Sequence, residues 1–428
     1  MPPFLLFAAL MTLLESPSVL AADSAVEKKA EAKQPAAEDE FVKICMDWQT
    51  GAIAWTQENA ELTDHNKRVA SYEAKLESLG TVQKLIEFEK AHRGTPIGLM
   101  AVRRLWHMQI DGARKKGLLF EAGQHALDSL RHYGELDELV EVIRYVDLGR
   151  HTGVEAGLRS FINQKENIKE ANRDFAKFTL ARWALQQRQQ RQAVEAWFKG
   201  VESGEILEEP SQRDAFEELR DMLVSAERLP DLQKEALAIA AALAESNTKA
   251  QQWAVKPVDQ HQLIFQLDQE KNAKGVPNVK DMAAGLVFRE NHLKIGQPAP
   301  DLKVKLVSGD DFSLTAQQGK VVIIQFAFNG CAPCEGMYAD FRELTKKYPD
   351  KLVILSLMRD PTENDVKRHI AAGNITWQAS LDTFPGQLTM DWGVRAFPTI
   401  YVYGPDGKLA GEKLSGASLK DKVKELLN

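Results

Sequence analysis

The apolar residues of this chain change their period once, and that change limits what the chain can fold into. From residue 41 to about 250 they recur at helical spacing. Leu99, Val102, Trp106 and Ile110 fall at i, i+3, i+7 and i+11, one face of a helix. Ala122, Ala126, Leu130 and Tyr133 mark a second face, and Leu136, Val140 and Ile143 a third. Phe178, Ala181 and Leu185 are expected to pair with Ala193, Trp197 and Val201 across a solvated turn at residues 186–192, Gln-Gln-Arg-Gln-Gln-Arg-Gln. Strand signals are nearly absent. Stacked helical hairpins that bury each apolar face against a neighbour follow from this: an irregular α-solenoid, tetratricopeptide-like at residues 178–200, or else a helical bundle.

Beyond residue 291 the pattern turns to strands. Residues 302–307 alternate, and 321–328, 352–358 and 399–403 are dense apolar runs. Between them lie helical segments, with Met337, Phe341 and Leu344 on one face and Val366 and Ile370 on another. Ser418 opens a last helix carrying Leu419, Val423 and Leu426. Strands alternating with helices imply a sheet covered on both faces. The expected fold class is therefore multidomain: an all-α domain over 41–250, then an α/β domain over 291–428. The 428 residues leave room for both. Residues 251–290, punctuated by Pro257, Gly275 and Pro277, read as a connector with one or two short helices.

The N-terminus reads as an export signal over residues 1–22. Phe4 starts an 11-residue apolar run ending at Leu14, too short to span a bilayer, and small residues suited to cleavage follow up to Ala21 and Ala22. No Lys or Arg precedes the run, and Glu15 lies at its end. Membrane association would need this segment to stay uncleaved. Residues 23–40, rich in Ala, Glu and Lys, read as a flexible linker. Lys and Arg number 54 against 61 Asp and Glu, a net −7 that argues against nucleic acid as partner. Three cysteines in so long a chain rule out a disulfide-stapled scaffold.

Two of those cysteines carry the chemistry. Cys331-Ala-Pro-Cys334 directly follows the apolar run 321–328 and directly precedes a helical segment. A helix start offers unpaired N–H groups and about half a positive charge, so a thiolate there is stabilised and its pKa falls. On this reading Cys331 is exposed and attacks, while Cys334, one turn inside, is buried and resolves the mixed disulfide. Pro333 suits a first helical turn, where its missing N–H is not needed. A zinc site needs two further ligands that do not occur nearby, and a c-type haem site needs His where Glu335 stands. A purely structural disulfide is the weaker alternative. The histidines at 65, 92, 107, 125, 132 and 151 are scattered, and no metal or other cofactor is expected. Phosphate-loop, metalloprotease and serine-hydrolase motifs are absent. Phe397-Pro398-Thr399 lies just before the strand that opens Ile400-Tyr-Val-Tyr, and a proline at such a place is a candidate cis peptide. Cys45 reads as a buried helix cysteine.

Residues from about 293 to 428 resemble the thioredoxin superfamily, in its envelope branch of TlpA- and ResA-like proteins. The matching motifs are Ile295-Gly-Gln-Pro-Ala-Pro-Asp301, Gly319-Lys-Val-Val, the Cys-Ala-Pro-Cys itself, Asp382, Gly393-Val, Phe397-Pro-Thr and Gly404-Pro-Asp-Gly-Lys. The opening phrase is shared with peroxiredoxins. The resemblance implies Cys331 as nucleophile, Cys334 as resolving thiol and Pro398 as a cis-proline facing them. It implies main-chain pairing of substrate with Phe397, and substrate contact at Ala332 and Pro333. This chain departs from the family at three places. Gly330 stands where Trp usually precedes the first cysteine. Gln325 stands where many thioredoxins carry a buried acid, which implies slow resolution or a nonstandard proton acceptor. Met337 stands where ResA-like proteins often place Glu.

The expected activity is that of an exported thiol–disulfide oxidoreductase of the periplasm or cell envelope. Its partners would be protein thiol and disulfide clients and an envelope electron donor or acceptor. Ala-Pro between the cysteines is closer to the Gly-Pro of reducing thioredoxins than to the Pro-His of strong oxidants, so reduction is favoured. One alternative is an envelope scaffold whose helical domain binds partners and whose thioredoxin-like module is weakly active. Another is a thiol-dependent peroxidase, although the Pro-x-x-x-Thr-x-x-Cys setting of peroxiredoxins is missing.

Overall fold

A computed structural model describes residues 35–427, apart from 63, 111–115, 150, 208–209, 252–277, 384–385 and 395. The expected signal segment and most of the expected linker and connector lie outside the described residues. The chain forms two compact units, one on residues up to Ile239, the other on Lys274–Asn428 with Ala240–Asn247.

The first unit is built from α1 (Pro35–Glu58), α2 (His65–Leu79), α3 (Thr81–Ala91), α4 (Pro96–Ile110), α5 (Leu118–Ser129), the one-turn α6 (Val140–Ile143), α7 (Val154–Ile162), α8 (Glu170–Glu202), α9 (Pro210–Met222) and the start of α10 (Leu229–Glu245), whose residues from Ala240 on are grouped with the second unit. Local chemistry sets the helix ends. Asp64 caps α2 by accepting from the Lys67 N–H. Gly80 closes α2 and opens α3 at φ 61°, a left-handed conformation that costs glycine little. The predicted faces turn inward: Leu99, Val102 and Trp106 on α4, Ala122 and Ala126 on α5, and Leu130 and Tyr133 just past it are all buried. The side chain of Ile110 lies outside the described part. Helices pack largely on their sequence neighbours, α3 on α4, α4 on α5 and α7 on α8. However, α9 also packs against α2, a long-range contact that a linear stack does not make.

The hairpin expected around residues 186–192 does not form. Glu170–Glu202 is one continuous helix of 33 residues. Gln and Arg are good helix formers, and no Gly, Pro or Asn interrupts them. The polar stretch instead holds neighbouring segments. Arg191 Nη2 donates to the Val224 carbonyl at 2.6 Å, Gln187 Oε1 accepts from the Val224 N–H at 3.2 Å, and Gln186 Nε2 donates to Asp147 at 3.0 Å. The tetratricopeptide-like pair is thereby excluded.

In the second unit α11 (Val279–His292) comes first, with Asn278 capping it by accepting from the Asp281 N–H. Strands β1 (Lys303–Lys305) and β2 (Asp311–Ser313) form a two-stranded antiparallel ribbon. There follow β3 (Val321–Ala327), α12 (Ala332–Glu335), α13 (Tyr338–Lys347), β4 (Leu352–Met358), α14 (Glu363–Ala371), β5 (Gln378–Leu381), α15 (Gln387–Asp391), β6 (Thr399–Tyr403), β7 (Leu409–Glu412) and α16 (Gly416–Leu427). Among the described residues the main sheet has the order β5-β4-β3-β6-β7, with β4 parallel to β3 and β5, and β6 antiparallel to β3 and β7. Strand alternation divides its core. Val321, Ile323 and Ala327 face one apolar cluster that also holds both cysteines, Phe341, Val366, Leu419 and Val423. Val322, Ile324 and Phe326 face the other, with Leu314, Trp392 and Tyr401. Every residue of β3 is buried, as its unbroken apolar run predicts.

Candidate active site

The turn that leaves β3 sets the geometry. The Cys331 N–H donates to the Phe328 carbonyl at 3.3 Å, and Gly330 has φ +80°, so a side chain here would be strained. Both central N–H groups of the turn are held by carboxylates: Asn329 N by Asp360 Oδ1 at 3.1 Å, and Gly330 N by Glu335 Oε1 at 3.0 Å. Asp360 is in reach because β4 runs parallel to β3 and the ladder continues one step, from the Arg359 N–H to the Ala327 carbonyl.

Cys331 and Cys334 are joined in a disulfide, with Cα atoms 5.3 Å apart. Cys331 is the N-cap of α12 and Pro333 sits in its first turn, as expected. One expectation is corrected. Cys331 is 5% exposed rather than open, because the disulfide draws it into the same core cluster as Cys334, with Phe328 and Phe397 packed against that cluster. The four residues of α12 lead into α13 through Gly336 and Met337, both in helical backbone conformation. Ala332 and Pro333 are exposed between the buried cysteines.

The Phe397-Pro398 peptide is cis. Thr399 pairs with Phe326, so the peptide lies alongside the end of β3 where the turn to Cys331 begins. The Phe397 ring meets Phe328 edge-on at 5.3 Å, and the Arg359 guanidinium lies 5.3 Å from its centroid. The structure thus brings Cys331, Cys334, Ala332, Pro333, Phe397 and Pro398 to one end of the sheet. Cys45 belongs to the first unit and is half-buried in α1.

Gln325 is fully buried, and strand alternation puts it on the face of the cysteine cluster. Its Oε1 accepts from Ser356 Oγ at 2.8 Å, and Ser356 Oγ accepts from Trp377 Nε1 at 2.8 Å. Its Nε2 has no partner. Two nearby groups and a pocket escaped sequence reading. Asp360 is 3% exposed; burial pushes its carboxyl above the usual range, and its Oδ2 has no partner. Tyr338 is pushed up to about 12 by burial, with Glu335 and Asp360 adding to the shift. A pocket of about 360 Å³ is lined by Asn329, Asp360, Pro361, Asp365, Arg368 and His369. The one available signal was an Asp-Pro pair directly after the apolar run of β4, a place where an acid can cap a neighbouring turn. Among the described residues no group of three or more His, Cys, Asp or Glu side chains is placed to hold a metal.

Comparison with known proteins adds kinship. The AhpC/TSA family model matches residues 295–411. Thiol-disulfide oxidoreductase ResA of Bacillus thuringiensis subsp. konkukian is 30% identical over 144 residues, covering 33% of this chain and 82% of its own. Thioredoxin-like protein YneN of Bacillus subtilis is 28% identical over 122 residues, covering 28% of this chain and 71% of its own. The thioredoxin domain of a thiol-disulfide oxidoreductase from Bacteroides vulgatus is 25% identical, covers 32% of this chain and 99% of its own, and superposes with a TM-score of 0.29. Because the match to ResA takes in 82% of that protein, the chain belongs, through its C-terminal unit, to the ResA-like thiol–disulfide oxidoreductases of the thioredoxin superfamily.

Proposed function

We propose that this protein reduces disulfides in protein clients outside the cytoplasm, through Cys331 and Cys334. The observation that carries the reading is the closed Cys331–Cys334 bond at the end of a buried strand, beside Phe397-Pro398. In the reduced enzyme the Cys331 thiolate attacks one sulfur of a client disulfide. The client bond breaks, its second sulfur leaves as thiolate, and a mixed disulfide forms. Cys334 gives up its proton and attacks Cys331, which releases the first client sulfur. The client gains two electrons, the enzyme is left oxidised, and a thiol-bearing donor must reduce it again. Phe397 offers its main chain to the client, and exposed Ala332 and Pro333 flank the reacting sulfur.

Export is read from residues 1–22, which fit a secretory signal, and among the described residues no helix is long and apolar enough to cross a membrane. The helical unit is assigned the presentation of clients, on its architecture alone. The test is turbidimetric insulin reduction by the full chain with dithiothreitol as donor. Cys331→Ser should abolish turnover. Cys334→Ser should trap a mixed disulfide with the client. Full activity in Cys331→Ser would sink the proposal.

A further inference from the structure

We infer that Asp360 is a positioning residue for the dithiol: it fixes the turn that ends on Cys331, and its ionised form opposes the Cys331 thiolate. The inference rests on the exchange reading above and deepens it, because it bears on the direction of transfer.

The geometry carries the argument. Asp360 lies at the end of β4 and is 3% exposed. One carboxylate oxygen accepts from the Asn329 N–H, the first central amide of the turn closed by Cys331. The other oxygen has no partner. The carboxyl can therefore take up a proton on Oδ2 and keep its hold on the turn through Oδ1. Protonation changes the charge beside the dithiol without changing the bond that shapes it.

Glu335, on the second central amide, adds a second carboxylate on the same turn. Facing Asp360 from the packed elements are Glu335 on α12, Tyr338 on α13, and Asp365, Arg368 and His369 on α14. Arg368 pairs with Asp365, the Arg359 guanidinium lies against the Phe397 ring, and His369 lines the pocket that Asp360 also lines. A carboxylate bonded to the turn that carries the forming thiolate disfavours it, and a dithiol whose thiolate is not stabilised is the better reductant. Gln325, which cannot ionise, leaves Asp360 as the fully buried carboxyl of the turn.

The experiment is the pH profile of Cys331 alkylation by iodoacetamide in the reduced full chain, read by peptide mass and compared with Asp360→Asn. The Asn side chain keeps an acceptor for the Asn329 N–H and removes the charge. At neutral pH the variant should alkylate Cys331 at least about threefold faster, and the two proteins should converge at acid pH, where Asp360 is protonated. The wild-type profile should carry two steps and the variant one fewer. Coincident profiles at every pH, or a variant slower throughout, would overturn the inference. If Asp360→Asn fails to fold, a single-step wild-type profile overturns it alone. Asp360→Ala, which also loses the acceptor, should turn over insulin more slowly than Asp360→Asn. If wild type does not turn over insulin, the exchange reading fails and takes this inference with it. If wild type turns over and the profiles coincide, only this inference fails.

Discussion

Ser356 stands between two groups that depend on it. The Trp377 indole can only donate, so Ser356 Oγ must accept from it, and the hydroxyl hydrogen is left to donate to Gln325 Oε1. This fixes the orientation of the Gln325 amide, with Nε2 turned away from Ser356. Ser356→Ala removes both bonds at once and leaves a buried acceptor and an indole donor unmet. We expect a loss of about 2 kcal/mol or more in the urea unfolding of the second unit, because each unmet buried group costs roughly 1–3 kcal/mol. A loss under about 0.5 kcal/mol would mean that water or a neighbour replaces the hydroxyl. Residue-scale features were legible where they are local. Cys331, Pro333 and Cys334 fall within four positions, and the Phe397-Pro398 dipeptide announces itself. The partners of Gln325 lie 31 residues away and those of Ser356 a further 21, so no spacing rule reaches them. The burial of Cys331 was not legible for the same reason, since the aromatic side chains packed around it come from separate loops.

At the scale of elements, legibility followed length. The seven-residue strands β3 and β4 showed as dense apolar runs. The three residues of β1 fell inside the alternation at 302–307, whereas β2, β5 and β7, of three or four residues, are too short to display a period, and their register comes from the strand beside them. The misread hairpin in α8 has another cause. Helical periodicity cannot distinguish a break from a continuation unless Gly, Pro or Asn marks it. Gln189→Pro tests the corrected element, since proline inside a helix costs about 3 kcal/mol or more and a solvated turn would accept it. A comparable fall in the stability of the first unit is expected, and an unchanged urea midpoint would restore the turn. A second element-scale prediction concerns the link between α3 and α5. Glu89 on α3 is buried and accepts from Arg93, His125 on α5, and Tyr133. Burial would raise its carboxyl, but these donors outweigh it and hold the group at about 2 instead of 4.5. A depressed carboxyl stabilises the fold fully above the unfolded value and loses that contribution as pH falls toward the folded one. The first unit should therefore weaken between about pH 4.5 and 2, by up to about 3 kcal/mol from this group. Glu89→Gln should be less stable at neutral pH and show a flatter acid limb in urea titrations at stepped pH. A parallel acid limb would remove Glu89 from that account.

At the scale of the whole molecule, two units with separate cores are expected to unfold in two steps, and only one of them contains the disulfide. That arrangement allows the direction of electron transfer to be read without a client. Folding and oxidation are linked through one cycle: if the folded unit favours its disulfide more than the unfolded chain does, the oxidised fold must be the more stable one. A dithiol that readily gives electrons away is in that position. A strong oxidant is in the opposite one, because its reduced form is stabilised. Here two carboxylates sit on the turn that precedes Cys331, and they oppose a thiolate there. Adding dithiothreitol should therefore lower the thermal midpoint of the second unit and leave the first unit's unchanged, since Cys45 in α1 takes no part in the disulfide. The double variant Cys331→Ser/Cys334→Ser should show no response to the reductant. Calorimetry of the full chain with and without dithiothreitol measures both transitions in one sample, the helical unit serving as internal control. A rise in the second midpoint on reduction would reverse the assignment and make the pair an acceptor of electrons from its clients. A shift of both midpoints together would mean that the two units unfold as one.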